Sequence, residues 1–515
     1  DDRCQCTVED QTVQVVFPPN DLLMAAACSE RAGVECRIVD YPAYGKGWEH
    51  FLRDLEEFRP DALMLNSTTA TLTGDLQTCF LAKEKLPDIL TLAKGETLIV
   101  NASSVLRDHP EVDIVLPNEA EEAVEEIVRG NALCAVKGLH FRSDLLERFE
   151  EEPAETLVKP EGRAQIAARK RKRMPAEAPV AIVKGAEAEH VYFTGKRDLQ
   201  QDLDSLPVPA RHLIRNEVYV SPETGNPLAV IHGNRGCPAK CIYCPAGLLT
   251  DYTVRLRKPE NIVAELKECV EKYGIREFLF HGDTFTINKR WLKELCDGIV
   301  DAQLDIHWGC NSRVDTIDDE RAQMMKRAGC WVVAFGIEHG EQELLDKMLK
   351  NATVDQAREA VACCKRNGLR VHAFMVIGLP WETWETLDTT YNFLRELDPD
   401  FFDFNLATPL PGTDLHKIAL EENLFEEDYD PARAGYATGG IRTISGISSA
   451  ELAKWRREHL LKMYLRPSYI TRMLVRAGGP KNTLQYVKAG TKRLWQLTAG
   501  KKPPTPEENE PQTVG

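Results

Sequence analysis

The sequence predicts an α/β protein with an N-terminal doubly wound, Rossmann-like parallel sheet, a partial (β/α)6 barrel of the TIM type and a C-terminal helical region. Short apolar runs alternate with amphipathic runs of helical length, first up to residue 142 and again after residue 223. A loop with three closely spaced cysteines opens the second region. We expect the sheet at residues 1–142, a linker and lead-in at 143–222, the barrel at 223–415, helices at 416–502 and a disordered tail at 503–515.

The composition is that of an ordinary globular protein with an acidic excess. Apolar residues make up 43% and charged residues 28% of the 515 residues, which is enough for two or three domains. No run of about 18 uncharged apolar residues occurs, so we expect no membrane-spanning segment. The formal charge of −16 argues against a general nucleic-acid binder. Fifteen scattered cysteines suit a reducing cytoplasm, and a start at Asp1 without methionine indicates a fragment.

Alternating patterns predict the N-terminal sheet. Strands are expected at Val13–Phe17, Cys36–Val39, Ala62–Leu65, Leu98–Asn101 and Asp113–Leu116. Helices are expected between them at Asn20–Arg31, Trp48–Glu57, Gly74–Lys85 and Glu119–Arg129. This order is typical of a doubly wound parallel sheet.

The ends of these strands carry candidate binding residues, because ligands of such sheets bind beyond the carboxyl ends of the strands. The candidates are small polar residues, prolines and a few larger polar side chains: Pro18, Pro19, Asp40, Tyr41, Asn66, Ser67, Thr68, Thr69, Asn101, Ser103, Ser104, Asn118 and Glu119. Their N–H groups, hydroxyls and amides suit amide or phosphate groups of a ligand. Polar strand ends are also ordinary turn residues, so alone they leave the ligand open.

The most specific motif follows the apolar strand Leu228–Ile231. Cys237, Cys241 and Cys244 have C-x3-C-x2-C spacing, with Tyr243 before the last cysteine. Three thiolates on one tight loop suit three irons of a [4Fe–4S] cluster and leave the fourth iron open to a cosubstrate. A structural zinc site would need a fourth cysteine or histidine, and none follows Cys244 closely.

This cysteine motif, placed after a strand and before repeated strand–helix units, resembles that of the radical S-adenosylmethionine (SAM) enzymes. The resemblance implies that the methionine part of SAM chelates the open iron. It also implies that an electron from the cluster cleaves SAM to a 5′-deoxyadenosyl radical, which removes hydrogen from the substrate. A flavodoxin- or ferredoxin-type electron donor is implied as partner.

Six strands are expected in the barrel, near Leu228–Ile231, Phe278–Phe280, Asp305–Gly309, Trp331–Gly336, Val371–Ile377 and Phe402–Ala407. Catalytic groups of such barrels gather at the carboxyl ends of the strands. At those ends and in the cysteine loop, the resemblance implies SAM contacts for Tyr243, His281, Gly282, Asp283, Asn311, Arg313, Glu338 and Gly378. In an alternative interpretation Arg313 and Asp283 pair with each other. The strand histidines His232, His307, His339 and His372 are expected to be structural.

Before such a barrel, the N-terminal sheet resembles the cobalamin-binding domain of B12-dependent radical SAM enzymes, in which PP-x-x-L follows an early strand, as at Pro18–Leu22. The resemblance implies that the strand-end residues above bind cobalamin. The D-x-H-x-x-G motif is absent, because Pro42 stands at the histidine position of Asp40–Gly45. Cobalamin without a histidine ligand to cobalt is therefore expected, and a purely structural domain is the alternative.

The C-terminal region carries basic and apolar residues in a chain that is otherwise acidic. Residues 460–502 contain ten Lys or Arg and no Asp or Glu. A basic helix with apolar residues suits an anionic membrane surface, which predicts a cytoplasmic protein peripheral to the membrane. The alternative is a helical cap on the barrel, and the two are compatible.

The resemblance is strongest to hopanoid-biosynthesis radical SAM proteins and to anaerobic magnesium-protoporphyrin ester cyclases. We therefore predict a cobalamin-dependent radical SAM enzyme that modifies an unactivated carbon of a bulky lipid, isoprenoid or tetrapyrrole by methyl transfer, ring contraction or cyclisation. Two rival functions are a methylthiotransferase, which would need a second three-cysteine cluster, and a nonenzymatic iron–sulfur or cobalamin sensor.

Overall fold

The computed structural model describes residues 16–69, 71–117, 119–149, 191–427, 429, 438–476 and 490. Within these residues the chain forms two sheets and a two-stranded hairpin. Of the C-terminal region, residues 416–427, 429, 438–476 and 490 are described, and the predicted tail at 503–515 lies outside the described residues.

The N-terminal sheet has five strands in sequence order. They are β1 (Ala62–Ser67), β2 (Leu90–Gly95), β3 (Ile114–Leu116), β4 (His140–Arg142) and β5 (Val191–Phe193). The first three are parallel and the last two add in antiparallel fashion. The helices of this region are α1 (Asn20–Arg31), α2 (Trp48–Phe58), α3 (Leu72–Lys85), α4 (Leu98–Asp108), α5 (Glu121–Val128) and α6 (Asp144–Arg148). All four predicted helices are confirmed.

Two of the predicted strands are wrong. Leu98–Asn101 begins helix α4, because Leu98, Ala102, Val105 and Leu106 are buried at helical spacing, and the strand lies earlier, at Leu90–Gly95. Residues 36–39 form no strand; Cys36 and Ile38 pack against helix α1 instead of pairing in the sheet. The predicted strand at 13–17 falls mostly outside the described residues, and its last two residues are not in a strand.

The barrel region contains six parallel strands, as predicted. They are β6 (Leu228–His232), β9 (Glu277–His281), β10 (His307–Ser312), β11 (Cys330–Glu338), β12 (Arg370–Ile377) and β13 (Phe401–Leu406), in the order β6-β9-β10-β11-β12-β13. Between β6 and β9 in the chain, β7 (Asn234–Arg235) and β8 (Arg255–Leu256) form an antiparallel hairpin. Among the described residues β6 and β13 do not pair with each other, so the barrel is open.

Helices cover the outside of the barrel sheet and bury its apolar face. They are α7 (Ala246–Thr250), α8 (Pro259–Tyr273), α9 (Lys289–Asp301), α10 (Asp319–Arg327), α11 (Gln342–Lys347), α12 (Val354–Arg366), α13 (Trp384–Leu397), α14 (Asp414–Glu421), α15 (Ser449–Tyr464) and α16 (Pro467–Arg476). Short 3-10 turns lie at Leu133–Ala135, Leu203–Ser205, Arg211–Leu213, Asn216–Val218 and Val314–Thr316. None of the helices in the described residues is long and apolar enough to cross a bilayer.

The start of the basic C-terminal region caps the barrel. Helix α15 buries Leu460 and Met463 in the barrel core, and the Tyr469 hydroxyl in α16 donates to the Asp400 carbonyl at 3.1 Å. Arg472 forms an ion pair with Asp398. The predicted capping role is therefore observed for residues 460–472, and Lys481, Lys488, Lys492 and Arg493 lie outside the described residues.

Buried polar contacts join the N-terminal region to the barrel. The Asn20 amide of α1 donates to the carbonyl of Val230 in β6 at 3.2 Å. Arg211, in the lead-in segment, donates to the same carbonyl at 3.0 Å and pairs with buried Glu265 at 2.6 Å. Because burial leaves these groups no water, the contacts fix the lead-in and α1 against the first barrel strand.

We predict that His140 makes the protein sensitive to mild acid. Burial lowers the pKa of His140 to about 4, and its ring stacks on Phe193 with centroids 4.4 Å apart. The unfolded chain, with a histidine pKa of about 6.5, then binds more protons between pH 6.5 and 4, so stability falls as pH falls through this window. The free energy of unfolding from urea titrations should fall by about 3 kcal/mol more in the wild type than in His140→Phe. Equal losses in both proteins would contradict this prediction.

Candidate active site

A cleft lies between the carboxyl ends of the N-terminal strands and those of the first barrel strands. It holds about 850 Å³ of space, part of it open to solvent. The N-terminal side contributes Asp21, Asn66, Ser67, Thr68, Lys94, Gly95, Glu96, Pro117, Glu119 and Glu121. The barrel side contributes His232, Asn234, Arg235, Gly236, Leu249, Thr250, His281 and Asp283. Both sheets therefore present their ligand-binding ends to one space.

The cysteine loop begins beside this cleft and is held by backbone contacts. The Ile242 N–H donates to the Met348 carbonyl at 3.1 Å, and the Ile242 carbonyl accepts from the Leu415 N–H at 2.9 Å. Gly236 precedes the first cysteine with φ of +96°, and a Cβ there would lie 1.9 Å from the Thr253 carbonyl oxygen. Only glycine fits this turn.

The three cysteine side chains remain accessible. Cys237 and Cys241 are partly buried and Cys244 is exposed. Within the described residues, no three Cys, His, Asp or Glu side chains converge on a point that would suit one metal ion. A [4Fe–4S] cluster takes its thiolates on three different irons, so the three cysteines of this loop need not converge on one point to hold it.

Buried charges surround the inner side of the loop. Burial raises the pKa of the Cys241 thiol, while Lys350 and Arg313 favour its thiolate. Lys350 forms an ion pair of 2.6 Å with Glu338, and both side chains are buried. Burial also raises the pKa of Tyr243 well above its ordinary value, with the Glu338 carboxylate adding to the shift.

Arg313 does not pair with Asp283. Its guanidinium pairs with Asp315 at 2.9 Å and donates to the Lys350 carbonyl at 2.8 Å. Asp283 instead accepts from the Gly236 N–H at 3.0 Å, next to the first cysteine. The alternative of a direct Arg313–Asp283 pair is therefore wrong.

The remaining predicted SAM residues have different environments. His281 lines the cleft, and Gly282 lies against Asn234. Asn311 is exposed on β10. Gly378 has φ of +80°, and a Cβ there would lie 2.8 Å from Leu452, so packing within the protein already accounts for this glycine.

The predicted cobalamin residues divide into two groups. The cleft is lined by Asn66, Ser67, Thr68 and Glu119, and Thr69 is buried next to them in sequence. Outside the cleft lining are Pro18, Pro19, Asp40, Tyr41, Asn101, Ser103 and Ser104, while Asn118 lies outside the described residues.

The residues outside the cleft lining have structural contacts. Asp40 accepts from the Tyr219 hydroxyl at 3.0 Å, and Tyr41 donates to Asp54 at 2.9 Å. Ser103 and Ser104 lie within α4, where Ser104 donates to the Asn101 carbonyl at 2.9 Å. These three α4 residues were predicted at a strand end, and the shift of the strand to Leu90–Gly95 moves them away from the cleft.

Two ion pairs in the cleft were not predicted from the sequence. Asp21 pairs with Lys94, and Arg235 pairs with Glu121 at 2.5 Å. Burial would raise the pKa of both carboxyls, but Lys94 holds the pKa of Asp21 well below its ordinary value, and Arg235 lowers that of Glu121. The sequence could not predict these two ion pairs, because the residues of each pair lie far apart along the chain.

His232 and Asn234 were also missed as cleft residues. The rings of His232 and His281 lie 5.0 Å apart, and burial lowers the pKa of His232 well below its ordinary value. The expectation that His232 is only a strand residue is therefore incomplete, because it also lines the cleft. The position of His232 at the carboxyl end of the strand before the cysteine loop would have predicted that it lines the cleft.

Two family models match the chain. The radical SAM superfamily model matches residues 231–394, and the B12 binding domain model matches residues 10–128. These regions contain most of the cleft residues on the barrel side and on the N-terminal side, respectively.

Relatives span most of the chain at low identity. An uncharacterised methyltransferase of Pyrococcus horikoshii is 26% identical over 465 residues, covering 89% of this chain and 90% of the relative. The anaerobic magnesium-protoporphyrin IX monomethyl ester cyclase of Rubrivivax gelatinosus is 27% identical over 367 residues, covering 69% of this chain and 58% of the cyclase. The hopanoid C-3 methylase of Methylococcus capsulatus is 23% identical over 401 residues, covering 77% of this chain and 67% of the methylase.

Solved structures share the fold. The radical SAM methyltransferase TsrM of Kitasatospora setae superposes with a TM-score of 0.65 at 16% identity, over 94% of this chain and 98% of TsrM. The cobalamin-dependent radical SAM enzyme OxsB superposes with a TM-score of 0.68 at 13% identity, over 96% of this chain and 70% of OxsB. These structures confirm the predicted fold, and the two family matches confirm the predicted class. The chain belongs to the radical SAM enzymes that carry a B12-binding domain, and its cofactors are a [4Fe–4S] cluster, SAM and cobalamin.

Proposed function

We propose that this enzyme transfers a methyl group from SAM to an unactivated carbon of a bulky lipid, isoprenoid or tetrapyrrole substrate. The observation that carries the proposal is the shared cleft, because strand ends of the B12-binding region and of the radical SAM barrel face each other across it. Two cofactors bound at these ends would meet in one space with the substrate. Ring contraction and cyclisation are alternative outcomes of the same hydrogen abstraction.

The names of several relatives support methyl transfer, and two of them support a bulky substrate. Relatives that cover large parts of this chain are named as a methyltransferase, a hopanoid methylase and a tetrapyrrole ester cyclase. Hopanoids and magnesium-protoporphyrin are both large and mainly apolar. The net charge of −16 also disfavours a polyanionic substrate.

The cysteine loop fits the cluster, and the buried residues around it fit SAM. Cys237, Cys241 and Cys244 would ligate three irons, since they lie on one loop with accessible sulfurs. Asp283 would accept from the ammonium of SAM, as a carboxylate beside the first cysteine. Bound there, the cluster and SAM supply a radical that abstracts hydrogen, and cobalamin supplies a cobalt centre that can carry a one-carbon group.

The chain's own residues would prepare this site by fixing charge and excluding water. The Glu338–Lys350 ion pair and Arg313 are buried behind the cysteine loop, so their charges are preorganised and need little reorganisation during the reaction. Glu338 has a positive φ of 69°, a strained conformation for a residue with a side chain. We propose that this strain aims its carboxylate at a ribose hydroxyl of SAM.

The N-terminal strand ends fit a ligand rich in amides. Asn66, Ser67 and Thr68 follow or end β1 and offer hydroxyls, an amide and backbone N–H groups to the cleft. Gly95 at the end of β2 has φ of +154°, and a Cβ there would lie 1.9 Å from the Ser67 carbonyl oxygen. The two strand ends are therefore close together and form one continuous polar edge for cobalamin.

The rival methylthiotransferase function lacks support in the described residues. A second cluster would need three gathered cysteines in the N-terminal region, where the described cysteines are Cys28, Cys36, Cys79 and Cys134, while Cys4 and Cys6 lie outside the described residues. Cys28 and Cys79 are buried in different helices, and Cys36 and Cys134 lie on neither, so these four described cysteines do not share one loop.

We expect the three loop cysteines to be required for the cluster. Anaerobically reconstituted wild type should contain about four irons and four sulfides per chain, and the triple variant Cys237→Ala, Cys241→Ala, Cys244→Ala less than about one. Cys36→Ala, a partly buried cysteine of the N-terminal region, serves as the matched control and should keep the wild-type content. A triple variant that retains a full cluster would overturn the assignment.

The reaction is tested with SAM that carries a trideuterated methyl group. The enzyme, a chemical or flavodoxin reductant and cobalamin are incubated with hopanoid, isoprenoid and tetrapyrrole candidates, and products are analysed by mass spectrometry. We expect 5′-deoxyadenosine together with a trideuterated methyl group in one substrate class. Formation of 5′-deoxyadenosine with an unlabelled, rearranged product would instead support ring contraction or cyclisation. Cobalamin binding without SAM cleavage would support the sensor function.

Radical SAM enzymes need a one-electron donor, and we propose a flavodoxin or ferredoxin for this chain. Cys244 is exposed, so a cluster bound there would be accessible to a docked electron donor.

We also propose peripheral contact with an anionic membrane through α16. Its Ile470, Leu474 and Val475 are exposed, Val475 to 76%, in a segment that also carries arginines.

The membrane contact predicts a specific loss of lipid binding. Leu474→Glu with Val475→Glu removes apolar area and adds negative charge, so cosedimentation with phosphatidylserine vesicles should weaken roughly tenfold. Leu420→Glu, a residue 60% exposed on α14, should leave binding unchanged. Equal binding by all three proteins would leave α16 with only its capping role.

A further inference from the structure

Asn234 has a buried side-chain amide for which the protein supplies no partner. The residue is 1% exposed, and neither its Oδ1 nor its Nδ2 is hydrogen-bonded within the protein. An unpaired buried polar group costs about 1–3 kcal/mol, and this amide presents two of them. A ligand group that both donates and accepts a hydrogen bond would satisfy both atoms of this amide.

The absence of a side chain at Gly282 leaves space for the Asn234 amide. Asn234 lies in the hairpin strand β7, between the end of β6 and the cysteine loop. A Cβ on Gly282 would lie 1.9 Å from Asn234 Oδ1, so any larger residue at position 282 would displace the amide. The glycine and the asparagine follow the neighbouring barrel strands β9 and β6, and of the two Asn234 lines the cleft.

The space beside the Asn234 amide, which we call the niche, lies in the cleft that the B12-binding region and the barrel share. Asn234 shares the cleft with Asn66, Ser67 and Thr68 of the B12-binding region. The residues that line the cleft do not include the three loop cysteines, Arg313 or Glu338. His281 and Asp283, which are proposed to contact SAM, line the same cleft, so the niche lies where the cobalamin side and the SAM side meet.

The donor and the acceptor of the Asn234 amide together favour a neutral hydrogen-bonding partner. The carboxylates of Asp21 and Glu121 are already paired with Lys94 and Arg235. A charged partner for Asn234 would satisfy only one half of its amide, because a carboxylate only accepts and an ammonium only donates. A primary amide satisfies both halves through two reciprocal hydrogen bonds. The corrin ring of cobalamin carries primary carboxamides along its edge.

We propose that Asn234 binds a carboxamide of cobalamin, so that the radical SAM barrel itself recognises the cofactor held by the N-terminal region. The inference deepens the cobalamin site proposed above and depends on its assignment to this cleft. The residue binds the cofactor and takes no part in the chemistry. It contributes to affinity and to the seating of the ring against the barrel.

The primary test measures the Kd of hydroxocobalamin by quenching of tryptophan fluorescence. Asn234→Leu keeps the size of the side chain and removes both hydrogen-bonding atoms, so the Kd should rise about 10-fold to 100-fold. Asn234→Asp keeps the acceptor and loses the donor and should weaken binding as well. The control is Asn261→Leu, an exposed asparagine on α8, which should bind like the wild type. Iron content and circular dichroism verify that each variant is folded with its cluster.

Altered cofactors identify the group that is bound. Cobinamide keeps the ring carboxamides and lacks the nucleotide tail, so Asn234→Leu should weaken cobinamide as much as cobalamin. Among cobalamin monocarboxylates, in which one carboxamide is hydrolysed, one isomer should bind the wild type about 10-fold more weakly than cobalamin. That difference should disappear in Asn234→Leu, because the partner of the changed group is gone.

Two outcomes would overturn the inference. Unchanged cobalamin affinity with weaker SAM binding in Asn234→Leu would assign the amide to the adenine edge of SAM. Unchanged affinity for both cofactors would mean that water fills the niche. Neither result depends on methyl transfer, so a failure of the proposed reaction is distinguishable from a failure of this inference.

Discussion

The arrangement of the active site depends on a buried network of ion pairs between the two regions of the chain. Arg235 and Arg255, on the two strands of the hairpin around the cysteine loop, reach Glu119 and Glu121, which follow β3 of the N-terminal sheet. The distances are 2.5–3.3 Å, and Arg255 is almost fully buried. Such pairs contribute little net stability, but removing one partner leaves an uncompensated buried charge at a cost of about 3–5 kcal/mol. The network therefore acts mainly to fix orientation.

This constraint brings the strand ends of the two regions to one cleft, where we propose that both cofactors bind. The hairpin that carries Arg235 also carries Asn234 and leads directly into the first cysteine. Fixing the hairpin against Glu119 and Glu121 thus sets the distance between the strand ends of the B12-binding region and the cysteine loop. Lys94, Arg235 and Arg255 pair with Asp21, Glu121 and Glu119, so three of the carboxylates in the wall of the cleft are already compensated.

Much of the fold and part of the site were predictable because they are encoded in local patterns. The six barrel strands and the four N-terminal helices follow from apolar periodicity over single segments. Leu98–Asn101 was misassigned because four apolar or small residues in succession fit a strand as well as the first turn of a helix. Three candidate cobalamin residues depended on that assignment and moved with it. Ser67 and Thr68, which follow a correctly predicted strand, do line the cleft.

The sequence by itself determined the class of chemistry, because the three cysteines proposed to ligate a cluster lie within eight residues and need no partner from elsewhere. It also determined the order of the two folding units. Only the tertiary structure decided which polar groups meet, since Asp21 and Lys94, or Glu121 and Arg235, are far apart in the chain and are paired by the packing of separate elements. The unpaired amide of Asn234 likewise became visible only in three dimensions, because whether a buried group has a partner depends on every element that surrounds it.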